Sequence, residues 1–250
     1  MTGIDELLSS EFNRFVLRHE PGYFAPLVRQ IEALTPVRGR RVMDFGCGVG
    51  DLGFALLEAG AVHLDGIDIS RPAIEQAMRR ATDMNAATFT CADLMTSPWG
   101  GSAVDVLVSH SVVHYIPRPL PAILSLLAEL VVPGGHLFLT FEAHSGPSLL
   151  NAIQRFNLRF APEWLRRRFY LAVLVLLGIR GGAPRTPEEL EIVKAKSRYL
   201  SIPVVHAAGV ETLTAAAATA GLVDVRVGPV PLLHPLQIPH LYMAARRQSA

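Results

Sequence analysis

Nine consecutive residues constrain this chain more than any others: Val42, Met43, Asp44, Phe45, Gly46, Cys47, Gly48, Val49 and Gly50. A buried-strand pattern there runs straight into three glycines at alternate positions. Glycine removes the Cβ where a backbone must turn sharply and approach a ligand, and the N–H groups opening a following helix favour polar ligand atoms. The spacing predicts a strand, a ligand-cradling turn and a helix, as in sites for nucleotide-like molecules. A nicotinamide dinucleotide fingerprint needs G-x-G-x-x-G, but Asp51 occupies the last glycine position and Gly50 falls one place early. That spacing, with no recognisable catalytic Tyr/Lys pair, weakens an oxidoreductase reading.

A chain of 250 residues, half of them hydrophobic at 50%, fits one α/β domain with an insertion or a small cap. The formal net charge of +1 lacks the basic excess of nucleic-acid binders, so nucleic acid is not expected as a partner. Cys47 and Cys91 both fall on expected strand ends, a pattern that suits neither a disulfide framework nor a zinc site. A reducing cytoplasm is the simplest compartment. The first residues lack the basic start and apolar core of a secretion signal, which agrees with it.

Along the chain, residues 5–35 read as one or two helices, with Leu7, Leu8, Phe12, Phe15 and Val16, then Leu27, Val28, Ile31 and Leu34, at helical spacing around Pro21 and Gly22. This is a cap ahead of the sheet. His19, Tyr23 and Phe24 near its break either wall a pocket or pack the cap to the core, and Arg38, Arg40 and Arg41 read as a solvated rim. A helix over 51–59 ends at Gly60. Ser70 caps another that carries Pro72 in its first turn, buries Ala73, Ile74, Ala77 and Met78, and runs to about Arg80. Strands ending at Asp68 and Cys91, a strand over 104–109, a helix over 120–130 and a strand after the Pro133-Gly134-Gly135 turn complete the alternation. Such alternation predicts a doubly wound, mostly parallel sheet with its ligand at the strands' carboxyl ends.

Residues 144–203 depart from that plan and read as a helical insertion. A helix is expected over 149–160. The basic Arg166, Arg167 and Arg168 lead into an apolar run over 169–179, too short for a membrane span of about 20 residues. That run reads as a buried lid helix, or else as one that borders a lipophilic pocket or rests on a membrane surface through 163–180. Gly181 and Gly182 end it, and Thr186 with Pro187 starts a further helix. A helix over 211–220, Gly221, a strand over 222–227 and a last strand near 240–245 return to the sheet, with an ordered proline-rich loop over 229–239 between the last two.

The D-x-G-x-G-x-G form with Asp44 resembles motif I of the class I S-adenosylmethionine-dependent methyltransferases, and four later segments resemble that family in order. His63 to Ser70 supplies Asp68 about 20 residues on, the interval of a βαβ unit. Thr88 to Leu94 supplies Asp93; Val104 to Ile116 resembles the fourth-strand segment, and Val132 to Leu139 the turn into strand five. The resemblance implies a seven-stranded Rossmann-like methyltransferase fold with its last strand antiparallel, an N-terminal helical cap over 1–36, a cofactor domain over 37–143 and 204–250, and the insertion as a substrate lid. It implies S-adenosyl-L-methionine as cofactor, S-adenosyl-L-homocysteine as product and a small-molecule acceptor. Gly46, Gly48 and Gly50 would cradle the methionine part, Asp44 order the loop, Asp68 with Ile69 hold the ribose, Asp93 with Leu94 read the adenine, and Ser109 with His110 border the sulfonium.

Methyl transfer is an in-line displacement, so alignment and exclusion of water are the main tasks, and a base is needed only when the acceptor is protonated at neutral pH. His110 and His114 are the catalytic candidates, at i, i+4 spacing after strand four. Tyr23, His114, Glu142, His144 and His206 are the acceptor-pocket candidates. The histidine pair has no third ligand in a compatible pattern, so no metal is expected. A protein that binds the cofactor on this fold but catalyses another reaction, such as a cyclisation, or only senses it, is the alternative.

Overall fold

The computed structural model describes residues 22–82, 84–143, 161–176, 186, 187, 190, 206, 208–231 and 240–249. Its chain order is α1 (Ala25–Leu34), β1 (Arg41–Phe45), α2 (Asp51–Glu58), β2 (His63–Asp68), α3 (Arg71–Arg80), β3 (Ala87–Cys91), β4 (Val104–Ser109), a 3₁₀ turn (Val113–Tyr115), α4 (Leu120–Glu129), β5 (Val131–Glu142), α5 (Glu163–Leu176), α6 (Val210–Thr219), β6 (Leu222–Pro229) and β7 (His240–Arg247). The strands form one seven-stranded sheet in the order β3-β2-β1-β4-β5-β7-β6. β1 to β5 pair in parallel, and β7 enters antiparallel between β5 and β6. The doubly wound, mostly parallel architecture expected from the sequence is therefore the one observed.

Period-two alternation sends the strand side chains into cores on opposite faces. Val42, Val106, Val108 and Phe138 pack with Leu27 and Ile31 of α1 and Leu52 and Leu56 of α2. Met43, Leu107, Leu137 and Leu139 pack instead with Leu124 and Leu127 of α4 and Leu213 and Ala217 of α6. A smaller cluster of Cys47, Leu64, Ile74, Ala77 and Phe89 seats α3 over β2 and β3. Burial on both faces explains why the central strands are almost continuously apolar. It also fixes the edge at which loops after β1, β2 and β4 converge, because all three strands run the same way.

Three sequence expectations are corrected. Met78, expected on the buried face of α3, is 54% exposed, since the helix turns only Ala73, Ile74 and Ala77 inward. Arg41 is no mere rim residue: its Nη2 lies 2.9 Å from Oδ2 of buried Asp65, joining β1 to β2. Pro133, Gly134 and Gly135 lie within β5 and not before it. Val104 pairs with Val131 but Val106 pairs with His136, so residues 132–135 bulge out of register.

The expected helices over residues 5–20 and 149–160 and the loop over 232–239 lie outside the described residues, as do residues 177–179 at the end of the apolar run. Within α5, Trp164 is 54% and Leu165 41% exposed, and the Arg168 guanidinium lies 5.7 Å from the Trp164 ring centroid. Among the described residues, no helix is long and apolar enough to cross a membrane.

The turn after β1 rests on Gly46, whose φ of 77° is left-handed. A Cβ there would sit 2.7 Å from Val112 Cγ1 and closer still to Cγ2. Gly46→Ala should destabilise the protein by at least about 2 kcal/mol, combining left-handed strain with overpacking. Urea unfolding should show Val112→Ala recovering only part of that loss, because it relieves the contact and leaves the backbone strain; full recovery would show that backbone strain contributes nothing.

Candidate functional site

The chain leaves β1 through Gly46, Gly48 and Gly50, with φ values of 77°, 54° and 85°. Such a left-handed run is open to glycine and strained for other residues. Gly46 and Cys47 N–H donate to the Ile67 carbonyl at 2.7 and 3.0 Å, which anchors the turn to β2. Gly50 caps α2, and its missing Cβ leaves room for the Phe54 and Phe89 rings. From the far end of α3, Arg80 Nη1 donates to the Val49 carbonyl at 2.6 Å and pairs with Asp51 at 2.5 Å, while the guanidinium lies 4.5 Å from the Phe54 ring centroid. Sequence reasoning missed this clamp, having read Arg80 only as a helix end.

Two carboxyls stand beneath the loop. Asp68, half-buried at the end of β2, accepts the Gly48 N–H at Oδ2 and the Ser70 N–H at Oδ1, both at 2.8 Å. Burial raises its pKa while those N–H donors lower it. A carboxylate has about four acceptor positions, so two backbone bonds leave capacity for a ligand's hydroxyls. Asp44 is 2% exposed and points from β1 toward α2, with Oδ2 lacking a hydrogen-bond partner among the described residues. Burial pushes its pKa up to about 7, and the nearby Asp68 adds to the rise while the Gly53 N–H opposes it. The Cys47 thiol is also pushed well up, first by burial and then by Asp44 and Asp68. It is therefore packing and not a nucleophile.

Beyond β2, Ile69 is 44% exposed and Leu94 5%. Asp93 is exposed, and its Oδ1 accepts the Met95 N–H at 2.9 Å, fixing the turn after β3. On the other side of β1, the Ser109 hydroxyl is fully buried and donates to the Phe45 carbonyl at 2.8 Å, so it locks β4 to β1.

His110, just past β4, is the centre of a polar cluster. Its Nδ1 lies 3.0 Å from Thr140 Oγ1, which also accepts the Ser111 N–H at 2.9 Å. Its Nε2 lies 3.4 Å from Ser111 Oγ, and the same oxygen is 3.2 Å from His240 Nε2. The Phe24 ring, at the start of α1, meets the His110 ring edge to face at 5.8 Å, and Tyr23 meets Phe24 at 5.0 Å. Burial raises the Tyr23 pKa. His114 is fully buried in the 3₁₀ turn, 4.1 Å from the Tyr115 ring and 5.5 Å from His240. Glu142, 1% exposed, is the register partner of His240, which puts both side chains on one face. His206 Nε2 lies 3.0 and 2.8 Å from the carbonyls of Ile116 and Arg118, so it carries the hydrogen and braces the segment after the 3₁₀ turn.

The fold thus brings Tyr23, His110, His114 and Glu142 to one region and sets His206 beside it. His144 and His19 lie outside the described residues. Sequence reasoning missed Ser111, Thr140 and His240; the one available signal was the register of β7 against β5, which places His240 opposite Glu142.

Residues 42–135 match the family described as a methyltransferase domain. The ubiquinone biosynthesis O-methyltransferase of Ralstonia nicotianae is 31% identical over 126 residues, covering 49% of this chain and 52% of that protein. The chain thus spans about half the length of that curated relative. The magnesium protoporphyrin IX methyltransferase of Synechocystis PCC 6803, solved with bound S-adenosylhomocysteine, superposes with a TM-score of 0.54 at 21% identity, over 90% of this chain and 81% of that one. A [4+2]-cyclase superposes with a TM-score of 0.58 at 14% identity, over 90% and 80%. At these identities the structural likeness is one of fold. The match to the methyltransferase-domain family takes in the glycine turn and the strands from β1 into β5. The residues present fit the cofactor: Gly46, Gly48 and Gly50 all take the left-handed backbone of a tight cradling turn, and Asp44 keeps a buried oxygen without a partner among the described residues.

Asp44 carries a pH signature. Its folded pKa of about 7 stands above the ordinary carboxyl value, so between about pH 4 and 7 the folded protein holds a proton that the unfolded chain releases. Stability of the ligand-free protein should fall as pH rises through that window, by up to about 4 kcal/mol from this group, and level off above it. Asp44→Asn should flatten the fall and be the more stable form at pH 7.5. Urea midpoints at pH 5 and 7.5 check this; parallel profiles for both proteins would refute it.

Proposed function

We propose that this chain is a cytoplasmic S-adenosyl-L-methionine-dependent methyltransferase that methylates a small, lipophilic or aromatic molecule by in-line displacement and yields S-adenosyl-L-homocysteine. The observation that carries the reading is the left-handed glycine turn with Asp68 bonded into it, at the carboxyl ends of parallel strands. A ligand at that edge meets the N–H groups of the turn and the start of α2.

In this reading Gly46, Gly48 and Gly50 admit the methionine part, and Asp44 orders the loop. Asp68 accepts the ribose hydroxyls beside Ile69, while Asp93 and Leu94 flank the adenine. Ser109 fixes the wall next to the reacting centre, and His110 and His114 stand on the acceptor side with Tyr23, Glu142 and His206. The sulfonium, when bound, supplies an electrophilic methyl group. The protein's own task is to align the acceptor and keep water away. The cap over 1–36 and the insertion over 144–203 are assigned to the acceptor side of the domain built from 37–143 and 204–250. Residues 163–180 supply its apolar contact, with a lipophilic substrate or a membrane surface. The small-molecule reading is supported by the ubiquinone biosynthesis relative and by the porphyrin methyltransferase of the same fold.

A second reading, a cofactor-bound protein that does not methylate, is favoured by the fold likeness to the cyclase. Release of S-adenosylhomocysteine with hydrophobic acceptors separates the two.

Calorimetric titration should show binding of both S-adenosylmethionine and S-adenosylhomocysteine. Asp68→Ala should weaken each by about 1–3 kcal/mol, since buried ribose hydroxyls lose their acceptor. Unchanged affinity would remove the ribose assignment, and absence of binding by the unaltered protein would remove the reading itself.

A further inference from the structure

Glycine has the widest backbone freedom of any residue, so a cradle built on Gly46, Gly48 and Gly50 keeps one shape only if its peptide groups are held from outside. β2 holds the first half of the turn, through the Ile67 carbonyl and Asp68. The second half, from Val49 into α2, is held from α3. Resting on the methyl-transfer reading, we propose that Arg80, the last residue of α3, is a positioning residue for cofactor binding, which locks the Val49–Gly50 peptide in the orientation that the cofactor meets.

One nitrogen makes both polar contacts. Arg80 Nη1 carries two hydrogens, and donates to the Val49 carbonyl at 2.6 Å and to Asp51 Oδ1 at 2.5 Å. A peptide unit is planar, so the Val49 C=O and the Gly50 N–H point in opposite directions. That N–H donates to the Cys47 carbonyl at 2.9 Å. With both ends engaged, the plane cannot rotate without breaking two hydrogen bonds, one of them from a charged donor. Its rotation would change ψ of Val49 and φ of Gly50 together, and Gly50, at a φ of 85°, is the residue from which α2 starts. Holding the peptide therefore also fixes the direction of the N–H groups that open α2.

The guanidinium lies 4.5 Å from the Phe54 ring centroid, and that ring fills the space beside Gly50, 2.9 Å from where a Cβ would stand. Polar and stacking contacts from one side chain thus converge on residues 49–54. The Arg80 side chain is 44% exposed, which makes its ion pair with Asp51 a weak source of stability. Its charge does not attract the cofactor either, since a guanidinium repels a cationic ligand. Its contribution is mechanical: it narrows an intrinsically loose turn to the shape that binds. A ligand that binds one conformer among several loses apparent affinity in proportion to that conformer's population.

Calorimetric titration of the full chain with S-adenosylmethionine and S-adenosylhomocysteine, alongside amide hydrogen exchange of the ligand-free protein, tests this. Arg80→Met keeps an apolar stem and removes the donors. It should weaken both ligands by the same factor, about tenfold, and speed exchange of the Gly50 N–H, while those of Gly46 and Gly48, bonded to β2, keep their rates. Arg80→Lys, which keeps a charged donor, should recover most of the affinity. Equal factors matter because S-adenosylmethionine carries one positive charge more than S-adenosylhomocysteine. A change confined to S-adenosylmethionine would mark a field effect and overturn the inference. So would unchanged affinity for both ligands, whatever the urea midpoint does, exchange accelerated alike at all three glycines, or an Arg80→Lys protein that binds as weakly as Arg80→Met. Each of these leaves the methyl-transfer reading standing, because the unaltered protein still binds its cofactor. Failure of the unaltered protein to bind either ligand overturns both.

Discussion

The carboxylate of Asp68 ties together parts of the molecule that would otherwise be positioned separately. By accepting the Gly48 N–H it fixes the glycine turn, and by accepting the Ser70 N–H it fixes the entry to α3. Backbone N–H groups of a tight turn need acceptors, and a strand-end aspartate provides one without using up its lone pairs. The turn in turn sets where α2 begins, and Arg80 closes the circuit from the opposite end of α3. Strand, turn and two helices are held by a handful of polar contacts at one sheet edge, on a core that is apolar on both faces.

That edge divides into two chemical halves. On the β2 side the groups are carboxyls and backbone N–H donors, rigid and acidic, suited to a hydroxylated and partly cationic ligand. On the β5 side they are imidazoles, hydroxyls and aromatic rings gathered from α1, the loop after β4, β5 and β7. Ser109 stands between, its hydroxyl spent on the Phe45 carbonyl so that the wall does not shift. Under the proposed reading, one half would hold the cofactor and the other would vary with the acceptor. The fold supplies the first and leaves the second to particular side chains.

Much of this was legible in the residues because its causes are local. The glycine turn, the Ser70 cap with Pro72 and the strands ending at Asp68 and Cys91 follow from backbone conformation and short-range pattern, and the structure places each where the sequence puts it. Met78 misled because the apolar stripe of a helix says which side is buried, not how wide the covering sheet is. The bulge at residues 132–135 misled because Pro and Gly signal a turn whether or not a neighbouring strand continues past them. Arg80 and His240 were invisible for another reason. Their partners lie 31 and 129 residues away, and no local pattern encodes a contact that only the assembled sheet creates.

The position of β7 has a consequence for how the molecule comes into being. It lies between β5 and β6, yet it is made after both, and it delivers His240 to a histidine fixed long before. A ribosome-bound chain can build β1 to β5 and shape the glycine turn while the cluster around His110 still lacks His240. Sequence separation of that size also slows closure, since loop entropy must be met before the contact forms. The turns after β1, β2 and β4 can therefore take shape before the strand that completes the sheet is in place.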